Sequence, residues 1–195
     1  MSKMNFKELG KFGKQLQVLS YNRCYDAKNL LPKHGPEILF VGKSNVGKSS
    51  LINTLLNYNI SKISRNPGCT RWLGHLQLPK ISIIDLPGYG FADVSKGRKA
   101  FWQIMMDKYL ATNRPDLAFI LVDSRKGIQN ADTQIANYFD CDIIYLYTKS
   151  DQNPLVKEHG IDAMIPEGAI AVSAKNGTGI LELRELLCSL IDENL

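Results

Sequence analysis

Gly42-Lys43-Ser44-Asn45-Val46-Gly47-Lys48-Ser49 follows the apolar run Ile38-Leu39-Phe40-Val41 and opens a helix-like segment over residues 50–56. No other stretch constrains the fold as strongly. A strand ending in a Gly-bracketed turn that enters a helix presents successive backbone N–H groups, and the positive end of a helix, to one anionic oxygen cluster. The pattern is that of a P-loop, and the anion it fits is the phosphate chain of a nucleotide. The two glycines allow close backbone approach along Gly42, Lys43, Ser44, Asn45, Val46 and Gly47. The amine of Lys48 reaches the β- and γ-phosphates, and the hydroxyl of Ser49 is placed to coordinate Mg²⁺.

At 195 residues and 44% hydrophobic content, the chain is long enough for one well-buried core and too short for two ordinary domains. Residues 1–35 mix lysines with scattered apolar positions and end at the breaker cluster Pro32-Lys33-His34-Gly35-Pro36, so they read as a basic extension ahead of a domain over residues 36–195. No run approaches a membrane span, and the first residues lack the apolar core of a secretory signal, so a cytoplasmic protein is expected, monomeric and without stable membrane association. Cys24, Cys69, Cys141 and Cys188 are scattered with no CxxC pair, which suggests reduced thiols rather than a disulfide framework or a zinc cluster.

Charge is polarised along the chain. Residues 1–36 carry +5, residues 37–115 carry +7 and residues 116–195 carry −7. Such asymmetry suggests a face built for an anionic partner, RNA or a ribonucleoprotein surface, although a solvated basic surface would look the same.

After the P-loop, strand and helix patterns alternate. Residues 72–78 and 80–84 read as a hairpin joined at Pro79. Trp102, Met105, Met106 and Tyr109 mark one face of a helix, and residues 117–122 form a buried-strand run. A helix is expected over 133–139, strands over 143–147 and 169–172, and a C-terminal helix bearing Ile180, Leu183, Leu187 and Leu190. This is an α/β pattern with a mostly parallel sheet of six strands, one antiparallel edge strand and helices on both faces. Ligands of such sheets sit at the carboxyl ends of strands, so motifs that follow strand patterns carry the most weight.

Asp85-Leu86-Pro87-Gly88 follows the strand residues 81–84. Asp85 there is suited to holding Mg²⁺ through water, and Gly88 to offering its N–H to a γ-phosphate. Thr148-Lys149-Ser150-Asp151 follows the strand over 143–147. The Asp151 carboxylate can accept from both N1–H and the exocyclic amine of guanine, donors that adenine does not display on that edge, which argues for GTP over ATP. Lys149 would cover the base plane. Ser173-Ala174-Lys175 follows the last strand, which ends at Val172, and places the Ala174 N–H where it could reach guanine O6. Between these motifs lies Arg65-Asn66-Pro67-Gly68-Cys69-Thr70, whose Thr70 hydroxyl is a second candidate Mg²⁺ ligand in a loop that closes over the γ-phosphate.

The ordered set GxxxxGKS, PGxT, DxPG, TKxD and SAK resembles that of the translation-factor class of P-loop GTPases. The longer strings GKSNVGKSSLIN (42–53), Pro67-Gly68-Cys69-Thr70, DLPGYGF (85–91) and Val122-Asp123-Ser124-Arg125 resemble the bacterial EngB family, also called YihA or YsxC, over roughly residues 36–190. The resemblance implies a Ras-like fold, GTP and GDP binding, Mg²⁺ dependence, and a role in assembling the large ribosomal subunit on its precursor and rRNA, with links to cell division and septation. It also implies that Gly68, Cys69, Thr70, Arg71 and Trp72 form a nucleotide-contacting switch, with Lys48, Thr70 and Gly88 serving hydrolysis. Asn45 sits where related GTPases with the same Asn bind K⁺ in place of an arginine finger; the alternative is that it only hydrogen-bonds its own loop. Cys69 and Arg71 depart from the family's usual switch residues, and residues 152–167 look short for the helix expected there.

Tyr89 occupies the position after Gly88 where Ras-type enzymes keep a water-orienting Gln, so slow intrinsic hydrolysis is expected. Tyr89, Phe91, Lys96, Arg98 and Lys99 are candidates for a surface that changes with nucleotide state, or else an ordinary basic loop with core-facing aromatics. Two other readings remain: an ATPase or small-molecule kinase, against which Asp151 speaks, and a GTPase switch at the membrane or division apparatus, for which residues 6–19 could form a weak amphipathic helix.

Overall fold

The computed structural model describes residues 12–25, 30, 35–59, 72–89, 96–153 and 165–192, with the backbone alone for 96–101. Along the chain run β1 (Ser20–Cys24), β2 (Glu37–Gly42), α1 (Lys48–Leu56), β3 (Leu73–Gln77), β4 (Ser82–Asp85), α2 (Lys96–Leu110), β5 (Leu117–Asp123), α3 (Asn130–Ala136), β6 (Asp142–Thr148), β7 (Ile170–Ala171) and α4 (Ile180–Asp192). A single 3-10 turn, Ser150–Gln152, follows β6.

The strands form one sheet in the order β1-β3-β4-β2-β5-β6-β7. Pairings between β4, β2, β5, β6 and β7 are parallel, while β3 runs antiparallel to both its neighbours. The α/β class and the single antiparallel strand match the sequence reading, but the strand count rises from six to seven. The added strand is β1, inside the basic extension. It pairs Ser20 with Gln77 and Cys24 with Leu73, so that β3 is no longer the edge of the sheet. An uncovered β3 would present a row of unpaired backbone groups, and β1 satisfies them.

β2 explains why helices cover both faces. Successive side chains of a strand point to opposite sides, and all six residues of β2 are buried. Ile38 and Phe40 enter a cluster with Leu51, Ile52 and Leu55 of α1 and Leu183 and Leu187 of α4. Leu39 and Val41 enter the opposite cluster with Met105, Met106 and Tyr109 of α2 and Ala136 of α3. The two apolar layers lock the strand ends, and with them the site loops, against each other. Phe12 and Leu16, within the stretch expected as an amphipathic helix, pack into the α1 and α4 side of the core; residues 6–11 lie outside the described residues.

The start of α3 differs from the sequence reading. α3 starts at Asn130, three residues before the expected 133, because Gln129 and Asp132 form a reciprocal capping box ahead of it. The last carbonyls of α1 are satisfied from another helix: Arg184 of α4 donates from Nε to Leu55 O (2.8 Å) and from Nη2 to Thr54 O (2.9 Å). The segment 154–164, part of the stretch read as short, lies outside the described residues.

Among the described residues no helix is long and apolar enough to cross a membrane. No disulfide joins Cys24, Cys141 and Cys188, and Cys69 lies outside the described residues.

Candidate functional site

Four motifs widely separated in sequence converge at the carboxyl ends of β2, β4, β6 and β7. The P-loop leaves β2 at Gly42 and enters α1 at Lys48. Its turn is possible because Asn45 (φ 64°) and Gly47 (φ 108°) both take the left-handed conformation. Gly47 is the N-cap residue and supplies no side-chain cap, and the first turn of α1 holds no acidic residue. The N–H groups and dipole of that helix end are therefore left for an external anion.

Lys48 lies in the mouth of this loop and donates from Nζ to Asp85 Oδ1, an ion pair in which both side chains are about nine-tenths buried. Ser49 stands beside it at the start of α1 and is half-buried. A hydroxyl and a carboxylate are the hard oxygen donors that Mg²⁺ takes, and both belong to rigid element ends.

Gly88 lies against the P-loop. A Cβ there would sit 2.7 Å from Ser44 Oγ, 2.9 Å from Ser44 N and 3.0 Å from Ser44 Cα, so only glycine fits. The next residue is stapled to the same loop: Ser44 N–H donates to Tyr89 O and Tyr89 N–H donates to Gly42 O, each at 3.2 Å. Pro87 is held from α2, where Trp102 Nε1 donates to its carbonyl at 3.0 Å, and Leu86 is fully buried.

Beyond β6, Lys149 turns the chain with φ 56°. Its ammonium donates to Asn45 O (2.8 Å) and to Asp123 Oδ2 (3.0 Å), tying the base-side loop to the P-loop. The Thr148 hydroxyl lies 2.7 Å from Val46 O and 3.0 Å from Val122 O and bridges the same two loops. Ser173 Oγ donates to Asp151 Oδ1 at 2.7 Å, and Ser124 Oγ donates to Lys149 O at 3.2 Å. Gly47, Thr148, Lys149, Asp151, Val172 and Ala174 line one cavity of about 330 Å³. Ser150, by contrast, is buried beneath the loop.

Electrostatics hold this arrangement in place. Asp123 keeps its carboxyl well below the usual carboxylate range, first through hydrogen bonds from Arg125 and then through Lys149. Arg125 clasps it from Nε (2.8 Å) and Nη2 (2.6 Å) and reaches Gln152 Oε1 with Nη1 (2.9 Å). A second carboxylate, Asp132, is 1% exposed and accepts from Tyr89 OH at 2.7 Å and from Lys43 Nζ at 3.1 Å.

The structure thus brings Gly42 to Ser49, Asp85 to Gly88, Thr148 to Asp151 and Val172 to Ala174 together. Gly68, Cys69, Thr70 and Arg71 lie outside the described residues, as do Phe91 and the side chains of Lys96, Arg98 and Lys99. Trp72 is described, and among the described residues its ring meets β1 and the residue after that strand. The Arg23 guanidinium lies 5.0 Å over its ring and Tyr25 meets it edge-on at 5.9 Å. Tyr89 is 7% exposed, so of the two readings given to it the core-facing one describes its side chain.

Sequence reading missed Asp132, Lys43 as a side chain, and Tyr21 of β1. Burial raises the Tyr21 phenol above its ordinary value, and the nearby Asp85 carboxylate raises it further. The signal available for Asp132 was the Gln-x-x-Asp spacing ahead of α3; for Tyr21 there was none.

Comparison with known proteins agrees with this geometry. The model of the 50S ribosome-binding GTPase family matches residues 37–149. The probable GTP-binding protein EngB of Aquifex aeolicus is 35% identical over 163 residues, covering 78% of this chain and 89% of that protein. The EngB of Bradyrhizobium diazoefficiens is 34% identical over 188 residues, covering 85% of each. Among solved structures, the crystal structure of a probable GTP-binding protein engB superposes with a TM-score of 0.58 at 27% identity, covering 80% of this chain and 99% of that one. The chain is a member of the EngB family of GTPases.

Proposed function

We propose that the protein is a GTP-controlled switch with slow intrinsic hydrolysis that acts in assembly of the large ribosomal subunit, on its precursor and rRNA, in the cytoplasm. The observation that carries the nucleotide part is the shared cavity in which Asp151 faces Gly47 and Ala174. A carboxylate at one end and an uncapped helix start at the other match a guanine and its phosphates.

In this reading Lys48 leaves Asp85 for the β- and γ-phosphates, and Gly42 to Ser49 cradle the phosphate chain. Asp151 and the Ala174 N–H read the guanine edge while Lys149 covers its plane. Ser49 and Thr70 would hold Mg²⁺, with Asp85 behind them; the ion supplies charge neutralisation of the phosphate oxygens. Gly68 to Trp72 would form the first switch. Gly88 senses the γ-phosphate. Asn45 is exposed, and its carbonyl is already taken by Lys149, so its side chain is the part available to K⁺. Slow hydrolysis follows from Tyr89, whose hydroxyl is engaged by Asp132 and whose ring has no amide with which to orient a water.

The ribosomal part is supported by the family's description as 50S ribosome-binding and by the positive charge concentrated in residues 1–115, which suits an RNA surface. Sedimentation of a bacterial lysate with GTP, GDP or a non-hydrolysable GTP analogue tests it. Co-migration with large-subunit particles only in the triphosphate state is expected. Absence of nucleotide-dependent co-migration at low salt would overturn the ribosomal role in favour of one at the membrane or division apparatus.

A further inference from the structure

Asp132 does more than cap α3. Its Oδ2 accepts the Gln129 backbone N–H at 2.8 Å, which satisfies the helix start. Its other oxygen, Oδ1, accepts the hydroxyl of Tyr89, the residue directly after Gly88. Oδ2 also takes the ammonium of Lys43, the second residue of the P-loop, which donates in addition to Gln129 Oε1 at 2.6 Å. One buried carboxylate therefore joins three segments: the phosphate-binding loop, the start of the second switch and the head of α3.

We propose that Asp132 is a positioning residue for GTP hydrolysis, holding Tyr89 and Lys43 so that Gly88 keeps one register against Ser44. The inference rests on the reading of Gly88 as γ-phosphate sensor. Three constraints meet at Tyr89: its N–H and C=O are bonded to Gly42 and Ser44, and its hydroxyl to Asp132. The ring is fixed further by an edge-on contact with Trp102 at 6.4 Å. Residue 89 is thus tied both to the P-loop and, through Asp132, to α3. A cap alone would need a single acceptor oxygen; the second oxygen serves the switch. An Asn in this place has one acceptor and one donor, so it cannot accept from both Gln129 and Tyr89 while also facing the Lys43 ammonium.

The test is single-turnover hydrolysis by protein saturated with GTP, with the Michaelis constant measured separately. Asp132→Asn and Tyr89→Phe should each lower the rate roughly 10-fold with KM changed less than about 2-fold, the pattern of an interaction that serves the transition state. The double variant should be no slower than the slower single one, since both remove the same link. Tyr109→Phe is the comparison for stability alone, because Tyr109 donates to Glu37, another buried carboxylate, from α2; it should melt earlier and hydrolyse normally. Tyr89→Phe keeps the ring in the core and carries the test by itself if Asp132→Asn does not fold. Wild-type rates in Tyr89→Phe, multiplicative losses in the double variant, or an equal rate loss in Tyr109→Phe would each overturn the proposal. If Gly88→Ala too hydrolyses GTP normally, the sensor reading fails as well; if only Gly88→Ala is impaired, the failure belongs to Asp132.

Discussion

The Lys48 ammonium donates to the Asp85 carboxylate across the gap between the start of α1 and the end of β4. In the proposed function each partner would meet a different part of a magnesium nucleotide, and binding would exchange one ion pair for two new contacts. Lys48→Ala should leave the fold intact by circular dichroism while weakening GTP binding by about 2–3 kcal/mol, the scale of hydrogen bonds to charged groups, or roughly 30–150-fold in Kd. Titration of a fluorescent GTP analogue measures this, and unchanged affinity would remove Lys48 from the site.

Asp151 is already oriented by Ser173 Oγ in the shared cavity. An Asn there would replace one acceptor oxygen with an N–H donor, which suits the C2 carbonyl of xanthine and repels the exocyclic amine of guanine. Asp151→Asn should therefore lose GDP affinity roughly 10²-fold or more and gain affinity for XDP. Calorimetry with both nucleotides decides it; a variant that still prefers GDP would sink the assignment of guanine recognition to this carboxylate.

These two sites were legible in the sequence because each depends on short-range demands: a glycine where backbone must turn or approach, a carboxylate directly after an apolar strand. What the sequence concealed depends on pairing over distance. Ser20-Tyr21-Asn22-Arg23-Cys24 shows no apolar alternation, and it becomes a strand because β3 would otherwise be an open edge. Asp132 was not singled out in the sequence, because its partners Tyr89 and Lys43 are 43 and 89 positions away. The partners of Trp72 were concealed in the same way: Arg23 and Tyr25, both in the segment read as an extension, pack against its ring.

Gly88 has no room for a side chain against Ser44. Gly88→Ala must push the Asp85–Gly88 turn or the P-loop aside, because two of the three nearest atoms are backbone. GDP binding should persist, since the base cavity is untouched, while hydrolysis falls on the order of 10²-fold, as for loss of one backbone donor to a developing anion. Parallel measurement of GDP affinity and single-turnover rate separates the two; equal loss of both would mean that Gly88 supports the whole loop rather than γ-phosphate sensing.

Asp123 links base recognition to the P-loop through Lys149, and its depressed titration gives that link a pH signature. Arg125, then Lys149, stabilise the charged form in the folded state, whereas an unfolded Asp titrates near about 3.9. The stability it contributes is therefore fully present above that value and is lost as pH falls toward the lower folded value. Relative to wild type, Asp123→Asn should melt a few degrees lower at neutral pH, and the difference should close below about pH 4. The same variant releases the Lys149 ammonium from one of its two acceptors, so GDP affinity at neutral pH should fall several-fold even though Asp123 does not line the base cavity. Unchanged GDP affinity, with a melting difference that still closes in acid, would show that Asp123 serves Arg125 alone and does not brace the guanine loop.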